Sequence, residues 1–206
     1  VGHFKDDKVG MVQSRWGHLN EDYSLFTRLQ AFALDAHFMV EQMGRNAQKA
    51  FINFNGTGGI WRKSCILDAG DWHADTLTED LDLSYRAQQK GWEFIYRPDV
   101  VSPAELPPVM SAIKSQQFRW TKGGAECARK HLWHVLKGTF PLKVKIHAAA
   151  HLLNSTLFIA ILLVSLSSIP VWWGFYKGLI PLEYFKLAAF FLFGFVIIAS
   201  VYFFAN

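Results

Sequence analysis

The first 145 residues alternate between short apolar runs and longer segments with a helical repeat. Residues 9–14 predict a strand, and apolar residues recur every three or four positions from Leu25 to Met43, which predicts a helix capped by Asn20 or Asp22. Further strands are expected at 51–54, 59–62 and 92–97, and helices at 64–69, 78–90, 107–122 and 125–136, with a break at Gly123-Gly124 and a strand end at Pro98. This alternation favours an α/β domain with a mainly parallel sheet.

The remainder of the chain has a different pattern. Residues 146–176 contain no Asp, Glu, Lys or Arg, and residues 187–206 form a second uncharged run. About 20 apolar residues span a bilayer as a helix, so both runs predict transmembrane helices. The alternative is a pair of buried core helices.

The distribution of charge also changes shortly before the first apolar run. The chain has a net charge of +4, with 18% charged residues. Residues 1–113 are net acidic, whereas residues 114–145 carry eight Lys or Arg and one Glu directly before the first apolar run. Basic residues beside a membrane span favour anionic lipid and a cytoplasmic flank, so residues 1–145 are expected in the cytoplasm. Nucleic acid is not expected as a partner, because an apolar segment follows the basic one at once.

Three regions are therefore expected: an α/β part at 1–122, a basic interfacial helix region at 123–145, and two transmembrane helices at 146–206. Residues 125–136 resemble an amphipathic helix that lies on the membrane surface. The sequence has only two cysteines, Cys65 and Cys127, which provide no disulfide framework.

A group of carboxylates marks the start of the predicted helix at 78–90. Thr78-Glu79-Asp80 is followed by Asp82. A carboxylate held at a helix start can take a proton from a hydroxyl group, which predicts a general base. Simple capping is the alternative, because the helix dipole favours carboxylates in the first turn.

A second motif lies about 36 residues further on, in the segment Gln116-Gln117-Phe118-Arg119-Trp120. On a helix, Gln116, Arg119 and Trp120 share one face. Arg is suited to bidentate contacts with phosphate oxygens, and Trp to stacking on the apolar face of a sugar. An interfacial helix with ordinary Arg and Trp anchors is the alternative.

Glycines mark a third candidate region, which includes Asn55, Gly56 and Thr57. Glycines between strand-like segments let a backbone approach a ligand closely. A hairpin turn with a bulge is the alternative.

Together these motifs resemble the membrane-bound family 2 glycosyltransferases, within them the cellulose-synthase-like and glucomannan-synthase group. The matching segments are Gln13-Ser14-Arg15-Trp16, Phe54-Asn55-Gly56-Thr57, Thr78-Glu79-Asp80, Gly91-Trp92 and the pentad at 116–120. The resemblance implies the C-terminal part of a GT-A nucleotide-diphospho-sugar transferase domain followed by transmembrane helices. It implies an inverting hexosyltransferase that moves a sugar from UDP-glucose or GDP-mannose to a growing β-linked polysaccharide.

The resemblance also implies roles for individual residues. Asp80 would be the general base, and Glu79 would help to shape its site. Gln116, Gln117 and Arg119 would hold the donor diphosphate. Trp120 would stack on the acceptor sugar, and a pocket would be formed by Asn55, Gly56 and Thr57.

Further expectations concern the metal and the setting. The family uses an Asp-x-Asp motif to hold Mg²⁺ or Mn²⁺, and Asp80-Leu81-Asp82 lies in a predicted helix instead, so the metal ligands are expected upstream of Val1. A bacterial plasma membrane is expected, with a Golgi membrane in the same orientation as the alternative; oligomer formation is left open. The rival functions are a single-sugar transferase to a membrane lipid, resembling ceramide glucosyltransferases, an inactive homologue, or a non-enzymatic membrane protein.

Overall fold

The computed structural model describes residues 2–186 together with 189, 193, 194, 196, 197 and 200. The chain divides into two compact units, Val1–Asn154 and Ser155–Asn206. The first unit contains all of the candidate site residues.

A three-stranded sheet lies in the first unit. Strand β1 (Val9–His18) is central, with β2 (Gly59–Trp61) antiparallel on one side and β3 (Glu93–Ala104) parallel on the other. The α/β class is confirmed, but the sheet is mixed rather than mainly parallel. The reason is local, because the chain reaches β2 through a tight loop at residues 55–58 that sends it back along β1.

The sequence predicts that strand β3 ends at Pro98, but the strand continues beyond it. Its register with β1 jumps between Arg97 and Val101, which pair with the consecutive residues Ser14 and Arg15. A bulge at residues 98–100 takes up the proline, which has no N–H to give to a ladder. The strand then continues to Ala104.

The long helix at the N-terminal side is confirmed, but its cap and its buried face differ from the expectation. It comprises α1 (Leu25–Asp35), a π-helical segment at Ala36–Gln42 and α2 (Met43–Ala47). Ser24 caps it through a reciprocal capping box with Thr27. Asn20 instead binds the backbone of Leu106, and Asp22 pairs with Arg28. The apolar side chains of Leu25 and Leu29 are exposed, and the buried positions include Thr27 and Ala31.

Residues 51–54 form no strand, contrary to the sequence prediction. Their backbone is paired with side chains of α4 (Glu79–Gln89), which follows α3 (Lys63–Asp68). The Gln88 amide accepts from Ile52 N–H at 3.0 Å and donates to Ile52 C=O at 2.7 Å. The Ser84 hydroxyl accepts from Phe54 N–H at 2.9 Å. These bonds replace a ladder, since buried backbone groups must find partners.

The helix that carries the pentad is longer than expected. It is α5 (Met110–Lys137), a single helix of 28 residues, so the predicted break at Gly123-Gly124 is wrong. Helix α6 (Leu142–Leu152) follows it. The main apolar core lies among α4, α5 and α6, where Tyr85, Cys127 and Val144 are buried together.

The second unit contains α7 (Leu157–Tyr176). By length and composition alone, one helical stretch of the described residues, Leu142–Tyr176, is apolar enough to cross a membrane, and an 18-residue window within it has a mean hydropathy of 2.1. The second predicted span, at 187–206, falls mostly outside the residues that the structure describes.

Candidate active site

The loop at residues 55–58 is fixed by the side chain of Gln13, which is completely buried in β1. Its carbonyl oxygen accepts from Asn55 N–H at 3.1 Å, and its amide donates to Thr57 C=O at 3.0 Å and Gly58 C=O at 3.1 Å. Trp16 Nε1 also donates to Thr57 C=O. Gly56 and Gly58 have φ of 75° and 70°, a left-handed conformation that glycine adopts at little cost.

Asp80 lies against this loop. A Cβ built on Gly56 would be 3.4 Å from Oδ2 of Asp80, so the glycine leaves the carboxylate room. The Ser84 hydroxyl joins the two segments, because it accepts from Phe54 N–H and donates to Asp80 C=O at 2.6 Å. The structure therefore brings together two of the predicted site segments, the Asn55-Gly56-Thr57 loop and the start of α4.

The carboxylate of Asp80 has the electrostatics of a base. Burial raises its pKa to about 6, and the neighbouring charge of Glu79 adds to the increase, while the Leu81 N–H, which donates to Oδ1 at 2.8 Å, lowers it in part. No Lys, Arg or His side chain pairs with this carboxylate within the described part of the chain. A pKa near neutrality suits proton transfer in both directions. Glu79 is the first residue of α4 and is exposed.

Helix α5 meets the Thr78-Glu79-Asp80 segment at Gly123. A Cβ there would lie 2.6 Å from Oγ1 and Cγ2 of Thr78 and 2.8 Å from its backbone nitrogen. One turn later, the thiol of Cys127 contacts the Thr78 hydroxyl at 3.5 Å. Gly123 therefore does not break the helix; its missing side chain lets α5 approach Thr78 closely.

The pentad continues along that same face of α5. Gln116, Trp120, Gly123 and Cys127 are spaced by four, three and four residues, which places them in one row, and Arg119 is one turn before Gly123. Gln117 and Arg119 are exposed, and Gln116 and Trp120 are partly buried. Among the described residues no hydrogen bond or ion pair engages Arg119 or joins the pentad to Asp80; the two motifs are connected through Gly123.

Two residues beyond Asp80, the fully buried Asp82 has a different environment. It accepts from Arg86 Nε at 2.8 Å, from Lys130 Nζ at 2.8 Å and from His131 Nε2 at 2.7 Å. Burial alone would raise the pKa of Asp82, but these donors hold it well below its usual range. The contacts of Asp82 with Lys130 and His131 connect α4 to α5.

Among the described residues, His73, Asp75 and Asp82 form a group that could hold a metal ion, with one ligand atom of each within 4.8 Å of the others. Lys130 already supplies a cation there, since its Nζ lies 2.9 Å from Asp75 and 2.8 Å from Asp82. The Asp80 and Asp82 carboxylates face different neighbours, as positions two apart on a helix do. Within the described part of the chain, this group therefore does not fit the metal that the resemblance implies.

Several residues that organise this site have functions that do not follow from the sequence. Gln13 belongs to a matching segment, but no role followed from its sequence position. Ser84, Gln88 and Gly123 lie within helices, where sequence alone shows a polar face or a break. One feature of the sequence does point to Gln13, namely that it is a polar residue within a predicted apolar strand. A polar side chain that is buried there needs hydrogen-bond partners.

Residues 1–204 match a family model described as glycosyl transferase family group 2. The chain belongs to this family. This match confirms the family that the motifs resemble, and the mixed sheet with its helices agrees with a GT-A-like fold.

The names of similar curated proteins describe a narrower group within this family. The chain is 43% identical over 152 residues to the probable glucomannan 4-beta-mannosyltransferase 4 of Oryza sativa subsp. japonica, covering 74% of this chain and 27% of the relative. It is 39% identical over 151 residues to glucomannan 4-beta-mannosyltransferase 2 of Arabidopsis thaliana, covering 73% and 28%. The chain thus spans less than a third of these relatives.

Among solved structures, a mannosyltransferase from Pyrobaculum calidifontis, in complex with GDP-Man and Mn²⁺, has a TM-score of 0.47 and 14% identity, covering 84% of this chain and 49% of that one.

Proposed function

We propose that the full-length protein is an inverting hexosyltransferase that extends a β-linked polysaccharide at a membrane from a nucleotide-diphospho-sugar, with Asp80 as the general base. The observation that carries this proposal is the carboxylate of Asp80, which is half-buried beside Gly56 at a helix start. It has no cationic partner among the residues that the structure describes, and its pKa is raised to about 6. A carboxylate in this state takes a proton from an acceptor hydroxyl as the hydroxyl oxygen attacks the sugar carbon.

The exposed guanidinium of Arg119, with Gln116 and Gln117, is proposed to hold the donor diphosphate. Its charge is not neutralised within the described residues, and a guanidinium forms paired bonds with phosphate oxygens. Negative charge develops on the leaving diphosphate, so a fixed cation there favours the transition state. Trp120, on the same face, is proposed to stack on the acceptor sugar.

The relatives favour mannose as the transferred sugar, since their names are those of glucomannan 4-beta-mannosyltransferases. GDP-mannose is therefore the first donor to test and UDP-glucose the second. Mg²⁺ or Mn²⁺ would neutralise diphosphate charge, and its ligands are proposed to lie outside this chain.

Residues 1–145 are proposed to be cytoplasmic and α7 to cross a membrane. Eight Lys or Arg residues at 114–145 precede the apolar stretch, in the arrangement that the positive-inside rule favours. The polysaccharide would then grow at the membrane surface.

The experiment uses the full-length protein in membranes, with Mg²⁺ or Mn²⁺ and radiolabelled GDP-mannose or UDP-glucose. Ethanol-insoluble label supports the polysaccharide proposal, whereas label in the organic phase supports the lipid transferase instead. Asp80→Asn should abolish transfer and retain donor binding, whereas Arg119→Ala should weaken donor binding as well. The matched control Asp22→Asn, at an exposed carboxylate, should transfer normally. Near-normal transfer by Asp80→Asn contradicts the assignment of the base.

A thermal melt separates catalysis from folding. Because the native pKa of Asp80 is raised, its ionisation at pH 7 opposes folding. Asp80→Asn should therefore melt at or above the temperature of the parent protein at pH 7 while being inactive. Loss of activity together with a lower melting temperature would point to a structural role.

A further inference from the structure

The first unit contains a cavity whose lining does not include Asp80. Its volume is about 370 Å³, and it lies between residues 40–48 and α6. Its polar lining comprises Glu41, Arg45, Gln48, His147, His151 and Asn154. None of these residues belongs to the motifs that carry the proposed transfer reaction.

The guanidinium of Arg45 is the unusual feature of this cavity. Arg45 is only 6% exposed. Its Nε donates to Glu41 C=O at 3.3 Å and its Nη2 to Gln42 Oε1 at 3.0 Å, and both acceptors are neutral. Nη1 is buried and has no hydrogen-bond partner within the described residues. Burial lowers the pKa of Arg45, and this effect exceeds the opposing influence of Tyr85 and Glu41.

Burying a charged group with an unpaired donor destabilises the folded protein unless another group supplies the missing acceptor. The Glu41 carboxylate is engaged with His37, at 3.1 Å. An oxyanion bound in the cavity would accept from Arg45 and neutralise it. Arginine forms such bonds to phosphate oxygens readily, because its donors match their spacing.

The wall also contains side-chain amides and imidazoles, which are groups that can donate hydrogen bonds. Gln48 Oε1 lies 3.1 Å from His147 Nε2, which leaves the two amide hydrogens of Gln48 available. His151 Nδ1 is paired with Tyr85 OH at 2.9 Å, which leaves Nε2 of its ring. Asn154 adds a side-chain amide. These groups surround a space of the size that small-molecule sites have.

We propose that this cavity binds a phosphate-type oxyanion, with Arg45 as its charged anchor and Gln48 as a supporting donor. The anion is either free phosphate or the phosphate of a lipid headgroup, since both present the same oxygens. Sequence position favours the lipid source, because Asn154 precedes the apolar helix α7 by three residues and α6 carries Lys143 and Lys145. The proposal does not depend on sugar transfer.

The test measures binding without any sugar donor. Full-length protein in detergent is titrated calorimetrically with inorganic phosphate at constant ionic strength, and protein in phosphatidylcholine nanodiscs is compared with and without phosphatidic acid. Arg45→Met should weaken the binding at least about tenfold, the loss of a charge-assisted pair. The matched control Arg28→Met removes an exposed arginine of α1 and should change it less than about twofold.

The arms of the experiment identify the source. Binding of free phosphate that is lost in Arg45→Met supports the free anion, and Arg45-dependent binding confined to phosphatidic acid supports the headgroup. Absence of both, or equal binding by parent and Arg45→Met, overturns the proposal. If Arg45→Met does not fold, Gln48→Leu takes its place, because Gln48 is exposed and its loss leaves the guanidinium intact. Unchanged binding by folded Gln48→Leu would also overturn it.

Discussion

The contact between Gly123 and Thr78 makes a quantitative prediction for Gly123→Ala. The new Cβ would lie 2.6 Å from two side-chain atoms of Thr78 and 2.8 Å from its backbone nitrogen. Carbon atoms in contact are normally about 3.5–4.0 Å apart, so α5 and Thr78 must separate by roughly 1 Å. A different rotamer of Thr78 cannot relieve the clash, because the backbone nitrogen is in the way too.

Two opposing terms set the size of the effect on stability. Overpacking of this kind costs about 1–3 kcal/mol, whereas alanine is better than glycine in a helix by about 1 kcal/mol. We therefore expect Gly123→Ala to destabilise the protein by about 0–2 kcal/mol. Gly44→Ala is the matched control, since Gly44 lies in α2 and a Cβ there meets nothing within 4 Å in the part of the chain that the structure describes. It should stabilise the protein by about 0.5–1 kcal/mol.

The larger effect should fall on activity. Gly123 connects the helix that carries Arg119 to the segment that ends in Asp80, and a 1 Å misplacement of catalytic groups costs about a hundredfold in rate. The assay is sugar transfer by full-length protein in membranes, alongside chemical denaturation of both variants. If Gly123→Ala transfers sugar as fast as Gly44→Ala and is equally stable, the close approach does not set the geometry of the site.

Three further predictions use the neighbouring groups. Gln13→Leu should lower the free energy of unfolding by about 2–4 kcal/mol in denaturant, because it leaves the buried backbone of the 55–58 loop without partners. A decrease below about 1 kcal/mol would mean that the loop keeps its conformation without the Gln13 side chain. Asp82→Asn should cost about 3–5 kcal/mol, because Arg86 and Lys130 lose a buried counter-charge, unlike Asp80→Asn two positions away. The kcat/KM for transfer should rise about tenfold per pH unit below about pH 6 and level off above it, because Asp80 as the proposed base must be ionised to accept a proton; a profile flat from pH 5 to 7 contradicts this role.

The raised pKa of Asp80 also predicts how stability depends on pH. The native carboxylate binds its proton more tightly than an unfolded one does, so its contribution is complete below about pH 4 and is lost as the pH rises through about 6. Asp82 acts in the opposite sense, because its lowered pKa stabilises the protein at neutral pH and that contribution disappears only in strong acid. Comparison of Asp80→Asn with the parent protein across this range isolates the first effect.

The sequence by itself determined the fold class and the candidate motifs. Carboxylates at a helix start are favoured by local electrostatics, so α4 was predicted to within one residue at each end. The motif order from Gln13 to Trp120 predicted the glycosyltransferase family, and the family comparison confirmed it.

Only the tertiary structure decided what the ambiguous residues do. Gly123 reads as a helix breaker in sequence, but the helix continues because Thr78 occupies the space of a side chain. Residues 51–54 read as a strand, but Gln88 and Ser84 provide the backbone partners that a neighbouring strand would have given. Asp80 and Asp82 are the same residue type two positions apart, and opposite faces of one helix give them opposite pKa shifts. These outcomes depend on which atoms meet across distant parts of the chain, which local propensity does not encode.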